Sequence, residues 1–460
     1  MITKTFLDEQ KDLLRSFLDI HCFNAWKILP SQRKTSYVNS LEMMVSPVCN
    51  TACTYCYMKN YSDKLYSCKY DRNTLLLNCE KVMKWLVSEK YYPSNIEIFS
   101  GEFFNLPFWK EYLDIIFKYL DKLEEGQSIP LVIPTNGTFF FSEAKTQEIQ
   151  EYLDFVESKN YKIFLSISVD GKYLDNDTRP LKTGKQYNDD FYNRMFSFGA
   201  KNKLSYHPMI GAKGIENWIK NFDWYIDNIQ KYYNLSTKQD AFYYIYLLEV
   251  RNPDWKTSEL EKLREFLNHI IDLLFSDCKD NETKTKKLIN NPLNIFSSVI
   301  SSVGRGLGCS LQQCFDIRMG DLALVACHRT AYEELIAAYL DFSEKDELRF
   351  KKVNNVNSYI MSNSFNFQYS TTCNNCPINR LCSGPCLGCN YEINKDCFTM
   401  VPTVCDLEYV KILSIISKLE EEDPAILDST IKYINANSIK SIQIQKIRDF
   451  IKINKENENK

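Results

Sequence analysis

Three cysteines near residue 50 are spaced as a set of metal-binding thiols. Cys49, Cys53 and Cys56 are separated by three and two residues, and they follow closely on the apolar segment 41–46. Three thiolates on one tight loop can bind three irons of a cubane iron–sulfur cluster and leave the fourth iron open to another ligand. A structural zinc site instead needs four protein ligands, so a zinc knuckle would require a remote fourth residue. The spacing favours an iron–sulfur site, with zinc as the alternative.

A second group of cysteines lies between residues 309 and 405. Within it, four cysteines are separated by two, five and three residues. The members of the group are Cys309, Cys314, Cys327, Cys373, Cys376, Cys382, Cys386 and Cys405, with Cys397 as an alternative to the last. This part of the chain has little regular periodicity, and a small loop-rich domain needs metal or disulfides to hold it together. Eight cysteines could bind two iron–sulfur clusters or two zinc ions.

Short polar motifs follow three of the apolar segments that resemble strands. They contain four candidate binding residues, namely Gly101, Glu102, Asn136 and Ser168. Barrels and open α/β sheets bind their ligands at the carboxyl ends of parallel strands. These motifs therefore predict a ligand site at one edge of a sheet, close to the first cysteine loop.

The candidate residues lie between apolar segments that alternate with amphipathic ones, and these segments are predicted to be the strands and helices that position them. Strands are predicted at 41–46, 95–100, 129–134, 162–169, 203–210 and 241–249. Helices are predicted near 74–90, 107–124, 143–158, 215–232 and 256–276. This alternation predicts a parallel sheet with helical crossovers, either open or a partial barrel. The polar run 276–291 predicts a linker, and the residues after 406 predict a helical tail.

Composition limits the class of protein. The chain has 460 residues, 17 of them cysteine, and this odd number excludes complete disulfide pairing. No signal peptide is evident at the N-terminus, so we expect a cytoplasmic protein whose clustered thiols bind metal. The net charge of −3 gives no global attraction to nucleic acid. No run approaches the roughly 18 apolar residues of a membrane span, so we expect no membrane partner.

The first cysteine loop, with Tyr55 inside it, resembles the cluster loop of radical S-adenosylmethionine (SAM) enzymes. The second group resembles the SPASM domain, a module with two auxiliary [4Fe-4S] clusters. The resemblance implies an α/β fold with a partial (β/α)6 barrel, a small loop-rich iron–sulfur domain and a helical C-terminal tail. The implied boundaries are a helical extension at 1–40, the barrel at 41–275, a linker at 276–300, the SPASM domain at 301–410 and the tail at 411–460.

The same resemblance implies roles for individual residues. Cys49, Cys53 and Cys56 would bind the SAM cluster, and Tyr55, Gly101, Glu102, Asn136, Ser168 and Arg179 would bind SAM. In the family, the motif around Glu102 holds the methionine amino group, and an arginine like Arg179 holds the carboxylate. The first auxiliary cluster would take Cys309, Cys314, Cys327 and Cys386. The second would take Cys373, Cys376, Cys382 and Cys405. The cofactors are then SAM and three [4Fe-4S] clusters.

The implied activity is maturation of a ribosomally made precursor peptide. SAM is cleaved to a 5′-deoxyadenosyl radical, which abstracts a Cα or Cβ hydrogen before a thioether or carbon–carbon crosslink forms. Alternatives are a formylglycine-forming sulfatase maturase, a peptide epimerase and, outside enzymes, a zinc-stabilised binding module. Sulfatase maturases have an aspartate after the third auxiliary cysteine, whereas here His328 follows Cys327 and is a candidate proton acceptor. Expected partners are the peptide and an electron donor such as flavodoxin or ferredoxin. The peptide leader is expected to bind either another surface of the chain or a separate leader-binding protein.

Overall fold

The computed structural model describes most of the chain from residue 40 onward. The described residues are 40–61, 71–88, 93–123, 128–291, 293–300, 314–325, 327–336, 338–342, 349–352, 373, 376–379, 381–382, 386–397, 399–434 and 439–458. The predicted helical extension at 1–40 therefore lies outside them, except for Ser40. Cys309 also lies outside them, and only the backbone of Cys314 is described.

One compact unit contains the described residues within 34–208 and 310–365. Its strands are β1 (Ser40–Ser46), β2 (Asn95–Ser100), β3 (Leu131–Thr135), β4 (Ile163–Ile167), β5 (Ser205–Tyr206), β8 (Cys314–Arg318), β9 (Ala323–Val325), β10 (Ala338–Asp341) and β11 (Arg349–Lys352). Its helices are α1 (Arg72–Ser88), α2 (Trp109–Leu120), α3 (Glu143–Ser158), α4 (Asp175–Thr178) and α5 (Asp189–Asn202).

These strands form one nine-stranded sheet in the order β11-β10-β9-β8-β1-β2-β3-β4-β5. The strands from β8 to β5 in that order are parallel, whereas β9, β10 and β11 pair antiparallel. Strand β1 is central and nearly all of its side chains are buried, as expected for a parallel strand covered on both faces. The carboxyl ends of β1 to β4 meet at one edge, where the predicted motifs lie.

The other compact unit contains the described residues within 209–309 and 366–460. Its strands β6 (Met209–Ile210) and β7 (Leu248–Glu249) form a two-stranded parallel sheet. Its helices are α6 (Trp218–Tyr233), α7 (Thr257–Phe275), α8 (Asn281–Ile289), α9 (Ser297–Ile300), α10 (Leu387–Asn394), α11 (Pro402–Glu422), α12 (Pro424–Tyr433) and α13 (Ile439–Glu458). Helix α11 buries apolar residues along most of its length and packs on α7, so the predicted helical tail is part of a helical core.

Three predicted elements are wrong in detail. The segment 203–210 is interrupted between β5 and β6, where Pro208 has no N–H to give to a strand ladder. Much of 241–249 lies in a 3-10 helix, Gln239–Tyr244, because Thr237 and Asp240 cap each other's backbone N–H groups and start a helical turn. The polar run 276–291 contains helix α8, which begins where the Asp280 carboxylate accepts the Thr283 N–H.

Candidate functional site

The first cysteine loop begins just beyond the carboxyl end of β1 and is held by backbone hydrogen bonds to the segment 178–182. Ala52 N donates to Pro180 O and Thr54 N to Thr178 O, both at 2.8 Å. In return, Lys182 N donates to Asn50 O at 2.9 Å. These bonds hold the loop against a segment that is distant in sequence. The three cysteines therefore sit on a fixed backbone.

The three thiols of this loop share one environment. Cys53 is buried, and Cys49 and Cys56 are half-buried. Thr51 Oγ1 lies 3.1 Å from Cys49 Sγ and 3.5 Å from Cys53 Sγ. Burial raises the pKa of the Cys53 and Cys56 thiols, and negative charge on the neighbouring thiols raises it further. Three thiolates this close together repel one another, and binding to a cationic iron–sulfur cluster would offset that repulsion. The three cysteines therefore fit such a cluster.

Gly101 allows the end of β2 to approach this loop. Its N–H donates to Ser46 O at 2.6 Å, and the Glu102 N–H donates to Val48 O at 3.0 Å. A Cβ atom at residue 101 would lie only 2.4 Å from Val48 O and 2.5 Å from Pro47 O. Only glycine fits this position without moving the backbone that leads into Cys49.

Glu102 is buried and joins the ends of β2 and β3. Its Oε1 accepts the Phe104 N–H at 3.2 Å and the Thr135 hydroxyl at 2.9 Å, and its Oε2 accepts the Asn136 N–H at 2.7 Å. A carboxylate offers about four acceptor positions. The described residues occupy three of them. Burial raises the pKa of Glu102 to about 7, although these hydrogen bonds oppose the shift.

Asn136 and Ser168 lie beside the same edge of the sheet. The Asn136 amide donates to Asn50 Oδ1 at 2.8 Å and lies 3.5 Å from Cys49 Sγ, so it contacts the cysteine loop directly. Ser168 follows β4, is half-buried, and donates its backbone N–H to Thr135 O at 2.8 Å. The structure therefore brings both predicted residues to the end of the sheet that carries the loop.

Arg179 lies in a buried polar network with Tyr55. Its Nη1 donates to the Tyr55 hydroxyl at 2.8 Å and lies 3.8 Å from Asp170 Oδ1. Tyr55 in turn donates to Asp170 Oδ2 at 2.7 Å, as does the Thr178 hydroxyl. Arg179 Nε is buried and has no hydrogen-bond partner among the described residues. One donor of this fixed guanidinium therefore remains for a ligand.

The sequence reasoning did not single out Asp170 and Asp175 as partners in this network. Asp175 accepts the N–H groups of Asp170 and Gly171 at 2.8 and 3.0 Å, and the Tyr192 hydroxyl at 2.8 Å. It therefore shapes the turn after β4 that presents Asp170 to Arg179. Asp170 directly follows an apolar segment that resembles a strand, as the other candidate motifs do. That position is the sequence feature that could have identified Asp170 as a candidate site residue.

His328 lies in the first unit with two buried acids that sequence reasoning missed. Its Nδ1 is 2.7 Å from Glu42 Oε1, and its ring stacks on Phe99 at 4.5 Å. Burial opposes ionisation of Glu42, but the His328 charge and hydrogen bond hold the Glu42 pKa below its usual value. Asp316 lies beside Glu42 on the adjacent strand. A glutamate inside the otherwise apolar segment 41–45 was the sequence signal for this cluster.

The later cysteines lie in both units. Cys327 caps the 3-10 helix His328–Thr330 in the first unit. In the second unit, Cys376 N donates to Cys373 O at 3.2 Å, Cys386 caps α10, and Cys405 lies in the first turn of α11. Burial raises the pKa of the Cys397 thiol to about 12.

No helix within the described ranges is long and apolar enough to cross a membrane. No protein-family model and no curated protein matches the chain. Among solved structures, anSMEcpe with bound AdoMet is 16% identical, with a TM-score of 0.55 over 85% of this chain and 99% of that chain. The same protein with bound AdoMet and Cp18Cys peptide is 15% identical, with a TM-score of 0.54 and the same coverage.

Streptococcus suis SuiB bound to precursor peptide SuiA is also similar, at 15% identity, with a TM-score of 0.47 over 83% of this chain and 80% of that chain. At such low sequence identity, structural similarity is evidence about the fold only. The similarity to anSMEcpe, with a TM-score of 0.55, provides that evidence here. It confirms that the chain has an α/β fold with a parallel-sheet core and a helical C-terminal region.

Proposed function

We propose that the chain is a radical SAM enzyme that modifies a peptide. The observation that carries this proposal is the cysteine loop, whose three thiols are fixed at the carboxyl end of β1 beside Glu102, Asn136 and Arg179. When bound there, the iron–sulfur cluster supplies the electron that cleaves SAM to methionine and a 5′-deoxyadenosyl radical. The protein residues bind SAM, orient it and exclude water.

Glu102 and Arg179 suit the two charged ends of the methionine part of SAM. The remaining acceptor position of Glu102 would take the ammonium group, and the buried Arg179 Nε would donate to the carboxylate. Tyr55 holds the guanidinium in place, Gly101 permits the close backbone approach, and Asn136 and Ser168 line the same sheet edge. Both charged contacts would be made by residues that are already ordered, which lowers the entropic cost of binding.

The remaining cysteine ligands are assigned from the family resemblance. Cys309, Cys314, Cys327 and Cys386 would bind one auxiliary [4Fe-4S] cluster, and Cys373, Cys376, Cys382 and Cys405 the other. Eleven thiolate ligands require a compartment that keeps thiols reduced, which favours the cytoplasm. An electron donor of the flavodoxin or ferredoxin kind would reduce the clusters.

For the reaction, we propose hydrogen abstraction from a Cα or Cβ of a precursor peptide, followed by thioether or carbon–carbon crosslinking. One hydrogen atom leaves with 5′-deoxyadenosine. A proton and an electron leave as the bond closes, so the peptide loses two hydrogens. His328, oriented by Glu42, would accept the proton, and an auxiliary cluster would accept the electron. The peptide leader would bind another surface of the chain or a separate leader-binding protein.

A second candidate is formylglycine formation, as in a sulfatase maturase. It is favoured by the fold likeness to anSMEcpe, a protein that has been solved with AdoMet and Cp18Cys peptide. Mass spectrometry separates the candidates when a cysteine-containing peptide is treated. A crosslink removes two hydrogens and keeps the sulfur, conversion to formylglycine removes the sulfur, and epimerisation leaves the mass unchanged.

The decisive experiment is anaerobic reconstitution followed by an assay for 5′-deoxyadenosine with SAM and reductant. We expect a brown protein with roughly twelve irons that forms 5′-deoxyadenosine. Alanine at Cys49, Cys53 and Cys56 should abolish the product, whereas Cys278→Ala, a change at a cysteine with no assigned role, should not. Continued cleavage in the triple variant would exclude this site, and a colourless zinc protein would support the binding-module alternative.

A further inference from the structure

Three carboxylates form a row across the central strands of the nine-stranded sheet. Asp316 on β8 is the direct partner of Glu42 on β1, and Glu42 is the direct partner of Glu97 on β2. Partners in parallel register point to the same face, and neighbouring strands are only about 4.8 Å apart. The backbone therefore places three acids side by side, with Asp316 and Glu42 0% and 4% exposed.

His328 adds a nitrogen donor to this row. Its ring is fixed by stacking on Phe99 at 4.5 Å and on Tyr57 at 5.6 Å, with interplanar angles of 12° and 28°. One ligand atom each from Glu42, Asp316 and His328 lies within 4.8 Å of the other two. The His328 side chain is 35% exposed, which leaves a route from solvent to the buried acids.

The buried carboxylates of this face lie close enough together to share one cation. Like charges on neighbouring strands repel, and buried carboxylates are stable only when paired. Glu42 is paired with His328 at 2.7 Å and also hydrogen-bonds the neighbouring Asp316. Arg318, two residues beyond Asp316 on β8, binds Asp321 and Glu333 through its guanidinium. A divalent ion would neutralise the two acids that are most deeply buried.

We propose that Glu42, Asp316 and His328, the residue that directly follows Cys327, form a binding site for a divalent transition-metal ion that uses none of the cysteines as ligands. Two carboxylates and one imidazole suit Mn²⁺, Fe²⁺ or Zn²⁺, whereas Ca²⁺ and Mg²⁺ favour oxygen ligands alone. The three residues come from two strands and a 3-10 helix of one compact unit. The site needs neither SAM nor a peptide to form. A bound ion would occupy His328, so metal binding and the proton-acceptor role proposed above for His328 exclude each other at any one moment.

The test is Mn²⁺ binding to the reconstituted full-length protein, after chelator treatment and desalting, without SAM or peptide. The six-line EPR signal of free Mn²⁺ should fall by one equivalent per chain. Glu42→Gln and Asp316→Asn should each weaken binding at least about 10-fold. Asp189→Asn, which removes an exposed carboxylate of the same unit, should leave it unchanged. Failure of the wild type to bind, or wild-type binding in both site variants, would overturn the proposal.

Pulsed EPR of bound Mn²⁺ gives a second readout that does not depend on the carboxylate variants folding. Nitrogen coupling from His328 should be present in the wild type and absent in His328→Gln. Bound Mn²⁺ without nitrogen coupling would place the ion elsewhere and contradict the assignment. The 5′-deoxyadenosine assay reports on the cysteine loop, so failure of the metal site and failure of the proposed function are distinguishable.

Discussion

Gly101→Ala should disable SAM cleavage by moving the cysteine loop. The added methyl group would lie 2.4 Å from Val48 O, about 1 Å short of the 3.4 Å at which ordinary contact begins. Its nearest neighbours are all backbone atoms of Pro47 and Val48, so no flexible side chain can move aside. The strand end and the segment leading into Cys49 must therefore separate by about 1 Å.

Two consequences of this shift can be measured. Overpacking of this kind costs about 1–3 kcal/mol, so the free energy of unfolding should fall by that amount. Misplacement of a reacting group by about 1 Å costs on the order of 100-fold in rate, so 5′-deoxyadenosine formation should fall about that much.

The assay is single-turnover 5′-deoxyadenosine formation on protein of matched iron content, with thermal unfolding measured in parallel. The matched control is Gly211→Ala, because a methyl group there would meet its nearest neighbour, Val250, at an ordinary 3.4 Å. If Gly101→Ala kept the wild-type rate, the close approach of β2 to the cysteine loop would not matter for SAM binding, and the reasoning would be refuted.

Two further predictions concern the residues proposed to bind SAM. Because the pKa of Glu102 is raised to about 7, its carboxylate protonates as the pH falls through that value, so SAM affinity measured by calorimetry should weaken from pH 8 to pH 6. Glu102→Gln should bind weakly at every pH, and an equally steep pH dependence in that variant would contradict the assignment. Tyr55→Phe leaves Asp170 and Arg179 with fewer partners and should cost about 1–3 kcal/mol of unfolding free energy. Tyr243→Phe, at an exposed tyrosine, should cost nothing, and an equal loss in both variants would show that the buried network is not the cause.

The sequence predicts strands β1 to β4 of the parallel core because each is a local apolar segment that ends in a recognisable polar motif. The candidate binding residues at the ends of these strands are local features of the same kind. The segment 241–249 fails because its aromatic residues favour a strand, while the side chains of Thr237 and Asp240 start a helical turn. In this segment, side-chain capping of the helical turn outweighs the weak preference of the aromatic residues for a strand.

The acid row could not be predicted because it depends on long-range pairing. Glu42 and Asp316 become neighbours only when β8 adds to the sheet beside β1, more than 250 residues away in sequence. Likewise, Tyr55 meets Asp170 and Arg179 only after the cysteine loop pairs with the segment 178–182. Residue types and local spacing indicate which groups can do chemistry, whereas strand order decides which of them meet.

Cys49, Cys53 and Cys56 are proposed to hold one iron–sulfur cluster whose open iron binds SAM. The most direct measurement is the EPR spectrum of the reduced, reconstituted protein before and after addition of SAM. We predict an iron–sulfur signal that shifts with SAM and a triple Cys49, Cys53 and Cys56 alanine variant whose remaining signal is insensitive to SAM. A wild-type signal that SAM leaves unchanged, or a shift that survives in the triple variant, would contradict the claim.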